Sequence, residues 1–153
     1  MSNNNRRWVF LADPEDFGWK ELVEQGSAVW DGINNARAQQ NLRECRRGDL
    51  VLIYHTAPDK AVMGTARVTA EAYPDPKNAD KVVVDVEPIT ALARPLALSE
   101  LKEDPVTSQM SFVKMPRVAV QQVTVEQWER VMQKSGTDLG KSVGTPPADA
   151  GGP

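Results

Sequence analysis

Trp30, Asp31, Gly32, Asn34, Asn35 and Arg37 bring a flat π surface, a carboxylate, a turn-forming glycine, two amides and a guanidinium into one short stretch. These groups suit the recognition of a planar ligand. A nucleobase stacked on an indole gains roughly 1–3 kcal/mol, and amides read its edge because each carries both donors and acceptors without a charge. Glycine lets the backbone turn tightly and approach a ligand with no side chain in the way. Arg37, and Arg43, Arg46 and Arg47 beyond it, would neutralise a flanking phosphate, with Glu44 the one acid among them. His55 ends the apolar run Leu50–Tyr54, where it could donate a hydrogen bond at the mouth of a pocket. The same residues support a second reading, in which Trp30 is core, Asn34 and Asn35 form a turn, and His55 makes a structural hydrogen bond. The residues alone leave both open.

The groups needed for covalent chemistry are missing. The chain has one histidine, no Gly-x-Ser-x-Gly elbow and no phosphate-cradling glycine loop. Asp85 and Glu87 share one face of a strand, the spacing of an acid/base pair, but no partner residue accompanies them. Cys45 stands alone, so it forms no intramolecular disulfide and no zinc site. No catalytic residue, metal or cofactor is expected. A net charge of -3 argues against coating nucleic acid by bulk electrostatics. Acids gather at Asp13–Asp16 and Asp75–Glu87, however, which leaves room for one basic face.

Positioning such residues requires a scaffold, and 153 residues suit one domain. No apolar run approaches the ~20 residues of a membrane span, and Met1–Arg7 lacks the apolar core of a secretory signal. A cytoplasmic monomer without membrane contact is expected. Arg7–Ala12 reads as a buried, central first strand. Phe17, Leu22 and Val23 suit a short helix stopped by Gly26, with Trp19 packed beneath it, and Ala36–Cys45 suits a second helix before a turn at Gly48-Asp49. Strands follow at Leu50–Tyr54, at Ala61–Ala70 with a bend at Gly64, at Lys81–Ile89 and at Arg117–Val123; Tyr73-Pro74-Asp75-Pro76 reads as a turn-rich connection. Thr124 and Gln127 match a capping box that opens a last helix burying Trp128, Val131 and Met132. The pattern predicts an α+β fold, a partly closed mixed β-barrel of five or six strands flanked by short helices. Residues 1–6 are expected to be flexible, 7–134 to form the domain, and 135–153 to be a disordered tail.

Several of these stretches resemble the EVE domain family, grouped with YTH and ASCH domains among PUA-like folds. The resemblance runs from Trp8 to about Met132. It rests on Trp8-Val9-Phe10 with Asp13-Pro14, on Trp30-Asp31-Gly32-Ile33, on Arg47-Gly48-Asp49 leading into Tyr54-His55, on Tyr73-Pro74-Asp75-Pro76, and on Arg117-Val118-Ala119-Val120 before Trp128. It implies a PUA-like barrel whose cleft, beside the first strand, takes a flipped and modified base without covalent chemistry. The candidate bases are methylated or hydroxymethylated cytosine in DNA, or a modified base in RNA, with DNA preferred. On matching positions it puts Trp30, Asp31, Gly32, Asn34, Asn35 and Arg37 at the pocket, with Ala12 and Asp13 at the end of the first strand and His55, Lys114 and Arg117 nearby. Departures fall at Leu11-Ala12, where the family usually has Lys-Ser, at Asn34 and Ala36 in place of arginine and tyrosine, and at Pro116 in place of serine. These losses and the net acidity leave a second reading, a small-ligand or protein interaction module on the same fold, and kinship with ASCH domains leaves a third, a hydrolase of ASCH type.

Overall fold

The computed structural model describes residues 6–138. Its framework is one six-stranded mixed sheet in the order β2-β5-β4-β3-β1-β6. The strands are β1 (Arg7–Ala12), β2 (Ala28–Trp30), β3 (Leu50–His55), β4 (Ala61–Asp75), β5 (Asn78–Ala97) and β6 (Val120–Val123). The near-continuous apolar run of β1 follows from burial on both faces. Trp8, Phe10 and Ala12 face one core, while Val9 and Leu11 face the other. β1 pairs in parallel with β3 and antiparallel with β6.

Five helices cover the two cores: α1 (Trp19–Gln25), α2 (Ala36–Glu44), α3 (Leu98–Glu103), α4 (Ser111–Lys114) and α5 (Val125–Ser135). Trp8, Leu22, Ala38 and Leu42 belong to the first core, and Leu101, Phe112, Trp128 and Val131 to the second. Asp49 ties the start of β1 to the turn before β3: its buried carboxylate accepts from Trp8 Nε1 at 2.8 Å, Arg6 N at 3.0 Å and Arg46 N at 2.8 Å. Arg6 is thereby part of the fold.

The sheet coils because β4 and β5 change register repeatedly, between Val62 and Gly64, Thr65 and Ala66, and Val68 and Ala70. Each irregularity bends and twists the ladder. Gly64 is the bend expected from sequence, and a further reason for glycine is visible: a Cβ there would lie 2.6 Å from the Trp19 indole. The coil carries the two edges round toward one another without joining them, since β2 pairs only with β5 and β6 only with β1. The fold is therefore the expected α+β, PUA-like one, with its barrel left open along one seam.

Several local expectations change. β4 runs through Tyr73-Pro74 to Asp75, so the turn is only Pro76-Lys77 and the following strand spans 20 residues. Pairing across the hairpin outweighs the local turn signal of the prolines. The last strand starts at Val120, although the Ala119 carbonyl still accepts from Leu11 N at 2.8 Å. β2 is a strand that sequence patterning did not indicate. At the other end, α5 includes Ser135, Gly136 caps it with φ 71°, and the Thr137 hydroxyl accepts from Ala93 N at 2.9 Å. The stretch read as tail thus begins inside the fold. Residues 1–5 and 139–153 lie outside the described residues.

Candidate functional site

The unclosed seam is where a cleft opens. Its walls come from the end of β1 (Leu11, Ala12, Asp13), the entry to α1 (Asp16, Phe17), β2 with its following loop (Ala28–Ile33), and Ala119 just before β6. Both edges of the sheet therefore contribute, and the space between them measures about 680 Å³. Ligand pockets commonly run to roughly 300–1,000 Å³.

Trp30 faces this space with little of its surface. It is 6% exposed, with the Phe10 ring tilted against it at 5.6 Å and Phe17 meeting it edge-on at 6.0 Å. The sheet's coil explains this: β2 and β1 are not neighbours in the sheet, yet curvature folds β2 back over Phe10. Trp30 thus lines the cleft while presenting little ring surface to it, and it is also part of the core. Phe17 is the half-buried aromatic in the cleft. Sequence reasoning assigned it to a helix, but it precedes α1 in the turn where Asp13 O accepts from Asp16 N and Phe17 N at 3.0 Å. An aromatic three residues after Asp13-Pro14, ahead of the helix proper, was the available signal.

Gly32 lines the cleft with φ 78°, and a Cβ there would meet nothing within 4 Å. Backbone conformation, not close approach, is what favours glycine at this position. The two asparagines do other work. Asn35 caps α2, its Oδ1 accepting from Ala38 N at 2.9 Å, and Asn34 offers its carbonyl to Lys81 Nζ at 3.3 Å. The cap signal was legible, since an asparagine immediately preceded an amphipathic helix. The amide that shapes the loop is Gln39, buried on α2: it donates to Ile33 O at 2.8 Å and Val82 O at 3.1 Å and accepts from Val82 N at 2.9 Å. It clamps the loop after β2 onto β5.

Other candidates separate by position. Ala12, Asp13 and Asp31 line the cleft; Asp13 accepts from Glu15 N at 2.9 Å, and Asp31 lies 3.7 Å from Lys77. Asn34, Asn35, Arg37, Lys114 and Arg117 are exposed outside its lining, with Lys114 donating to Gln109 at 3.2 Å. Arg117 sits two residues before Ala119. His55 is buried behind the α1 entry, bonded to Trp19 N and Asp59. Of the departures from family pattern, Leu11 and Ala12 form cleft wall, whereas Asn34, Ala36 and Pro116 do not.

The lining carries three carboxylates, Asp13, Asp16 and Asp31, and no lysine, arginine or glutamate. Cations stand outside the lining: Lys77 approaches Asp31, Lys81 donates to Asn34 O, and exposed Arg117 is two residues before Ala119. Cys45 is fully buried, and burial pushes its thiol far above the usual range. No helix among the described residues is long and apolar enough to cross a membrane.

Comparison with known proteins places this geometry among relatives. A sequence model of the EVE domain matches residues 6–134. Rpa0253 of Rhodopseudomonas palustris is 32% identical with a TM-score of 0.82, covering 86% of this chain and 93% of that one. Human thymocyte nuclear protein 1 is 23% identical over 86% of this chain and 75% of its own length. A structure of human THYN1 protein, in complex with 5-methylcytosine containing DNA, superposes with a TM-score of 0.79 at 21% identity, over 88% of this chain and 99% of that one. The YTH domain of Zygosaccharomyces rouxii MRB1, in complex with N6-methyladenosine RNA, shares the fold at TM-score 0.59 and 11% identity, over 88% of this chain and 89% of that one.

Proposed function

The chain belongs to the EVE domain family, and from that premise we propose that its seam cleft receives one flipped, modified base of a nucleic acid. DNA is preferred to RNA in this reading, and the chain acts as a monomer that performs no covalent chemistry on the base. The observation that carries the proposal is the cleft itself: a space of about 680 Å³ with a half-buried phenylalanine on its wall and polar groups round its mouth. A base drawn out of the stack needs such a slot, a ring to lie against and groups that meet its edge. Phe17 supplies the ring. Asp13, Asp16 and Asp31 accept from an exocyclic amine, a donor that cytosine and adenine both carry. Lys77, Lys81 and Arg117 lie outside the slot, where a phosphate backbone would pass. Support also comes from relatives on the same fold, one in complex with 5-methylcytosine containing DNA and one with N6-methyladenosine RNA.

The test is fluorescence anisotropy with labelled oligonucleotides carrying 5-methylcytosine, 5-hydroxymethylcytosine or plain cytosine, at two salt concentrations. Modified strands should bind more tightly, and affinity should fall as salt rises because phosphate contacts release counterions. Equal binding of modified and plain strands would refute the assignment. A second reading, a site for a small neutral or cationic ligand, is favoured by the cation-free, carboxylate-rimmed lining. It predicts no affinity for oligonucleotides and ligand binding without a steep dependence on salt.

A further inference from the structure

His55 is the one histidine of the chain and is 7% exposed, so contact with a ligand in the cleft is not its role. Its ring instead joins three elements. Nε2 lies 2.9 Å from the backbone nitrogen of Trp19, the first residue of α1, and Nδ1 lies 2.8 Å from Asp59 Oδ2 in the turn after β3. A backbone N–H can only donate, so Nε2 must hold the lone pair and Nδ1 the proton, which it gives to Asp59. The contact is built into the sequence. A Cβ on Gly18 would lie 2.7 Å from Nε2, so glycine is what lets the imidazole reach the backbone there. The Trp19 indole is fixed as closely, against Gly64 of β4.

The segment held this way is the cleft wall. Phe17 and Asp16 directly precede Gly18-Trp19, and Phe17 meets Trp30 edge-on. We infer that neutral His55 is a positioning residue that holds the α1 entry, and with it Phe17, against the cleft, so that protonation of its ring loosens this wall and lowers affinity for a base. The inference rests on the base-binding reading for its second half alone.

Protonation would put an N–H on Nε2 facing the Trp19 N–H, replacing one hydrogen bond by two opposed donors. Asp59 accepts from Nδ1 in either state of the ring, so the Trp19 contact is the one that protonation breaks. Glu21 on α1 is the other carboxylate that feels the ring; the Gly18 N–H keeps it below the usual carboxylate range. The flanking strands add no titratable side chain opposite His55, because its register partners are Ala12 on β1 and Ala61 on β4. By linkage, a ligand that needs the neutral ring, with its Nε2 lone pair facing the Trp19 N–H, binds less well once that ring is protonated.

Two arms test this. In the free protein, amide signals of Phe17 and Trp19 should shift along the same titration curve as the His55 ring, followed by NMR. In binding, His55→Gln keeps an acceptor near the Nε2 position without a proton to gain, and should hold its affinity for a 5-methylcytosine oligonucleotide where wild type loses roughly tenfold on acidification. His55→Leu should bind weakly at every pH. An acid loss in His55→Gln equal to that of wild type, or Phe17 and Trp19 signals indifferent to the ring's titration, would overturn the inference. If no oligonucleotide binds at any pH, the base-binding reading fails instead, and the free-protein arm still decides the role of His55.

Discussion

Trp30→Ala is expected to lower stability by about 3–5 kcal/mol, because it empties a core position and leaves a cavity beside Phe10. Trp30 belongs to the cluster that joins Trp8, Phe10, Ile53 and Val84. Urea unfolding measures the loss, and domains of this size are commonly stable by only about 5–15 kcal/mol. Binding lost in this variant therefore reports on the fold as much as on recognition. A change below about 1 kcal/mol would mean that the indole is not packed as described.

Phe17→Ala has the opposite profile. The side chain is half-buried and precedes α1, so its removal should cost little stability while taking away the ring proposed to stack on the base. Stacking on an aromatic side chain is worth roughly 1–3 kcal/mol per base, which corresponds to a weakening of about 5- to 150-fold. Phe17→Tyr should retain most of the affinity, since a flat ring remains. The comparison is made by isothermal titration with a 5-methylcytosine oligonucleotide, alongside unfolding curves for each variant. Unchanged affinity in Phe17→Ala would remove that ring from the site.

The contrast between these two aromatics indicates what the sequence could reveal. Patterns that act locally were legible. Arg7–Ala12 read as a buried, central strand, the spacing in Ala36–Cys45 suited a helix, and Thr124 with Gln127 made the capping box that opens α5. Legibility failed where long-range pairing decides. β2 is three residues long and is a strand only through Val84–Val86 of β5, and Tyr73-Pro74 stays extended because its partner strand is long. Trp30 was singled out by its neighbourhood, but whether an indole lies in the core or on a wall depends on how far the sheet coils, a property set by register shifts spread along β4 and β5. His55 followed the same rule: its partner Trp19 N is 36 residues away. Resemblance to a family located the cleft's neighbourhood through Asp13-Pro14 and Trp30-Asp31-Gly32, and the fold then divides the candidates: Ala12, Asp13, Trp30, Asp31 and Gly32 line it, Asn35 and His55 brace its surroundings, and Asn34, Arg37, Lys114 and Arg117 lie exposed outside the lining.

Bracing is a large part of this site's design. Gln39 fixes the loop after β2, Asn35 starts the helix that carries Gln39, and Asp49 anchors the start of β1. Polar side chains buried with their hydrogen bonds satisfied give rigidity to a wall, and a slot of defined width between two unjoined sheet edges needs that rigidity.

The most direct test is to map where a nucleic acid touches the protein. Adding a 5-methylcytosine oligonucleotide to isotopically labelled protein and following amide signals should perturb Leu11–Phe17, Ala28–Ile33 and Ala119, the two sides of the open seam, with smaller shifts at Lys77 and Arg117. Shifts gathered on another surface, such as Pro58–Lys60 with Lys102, or no shifts at all, would contradict the seam cleft as the place where a base is held.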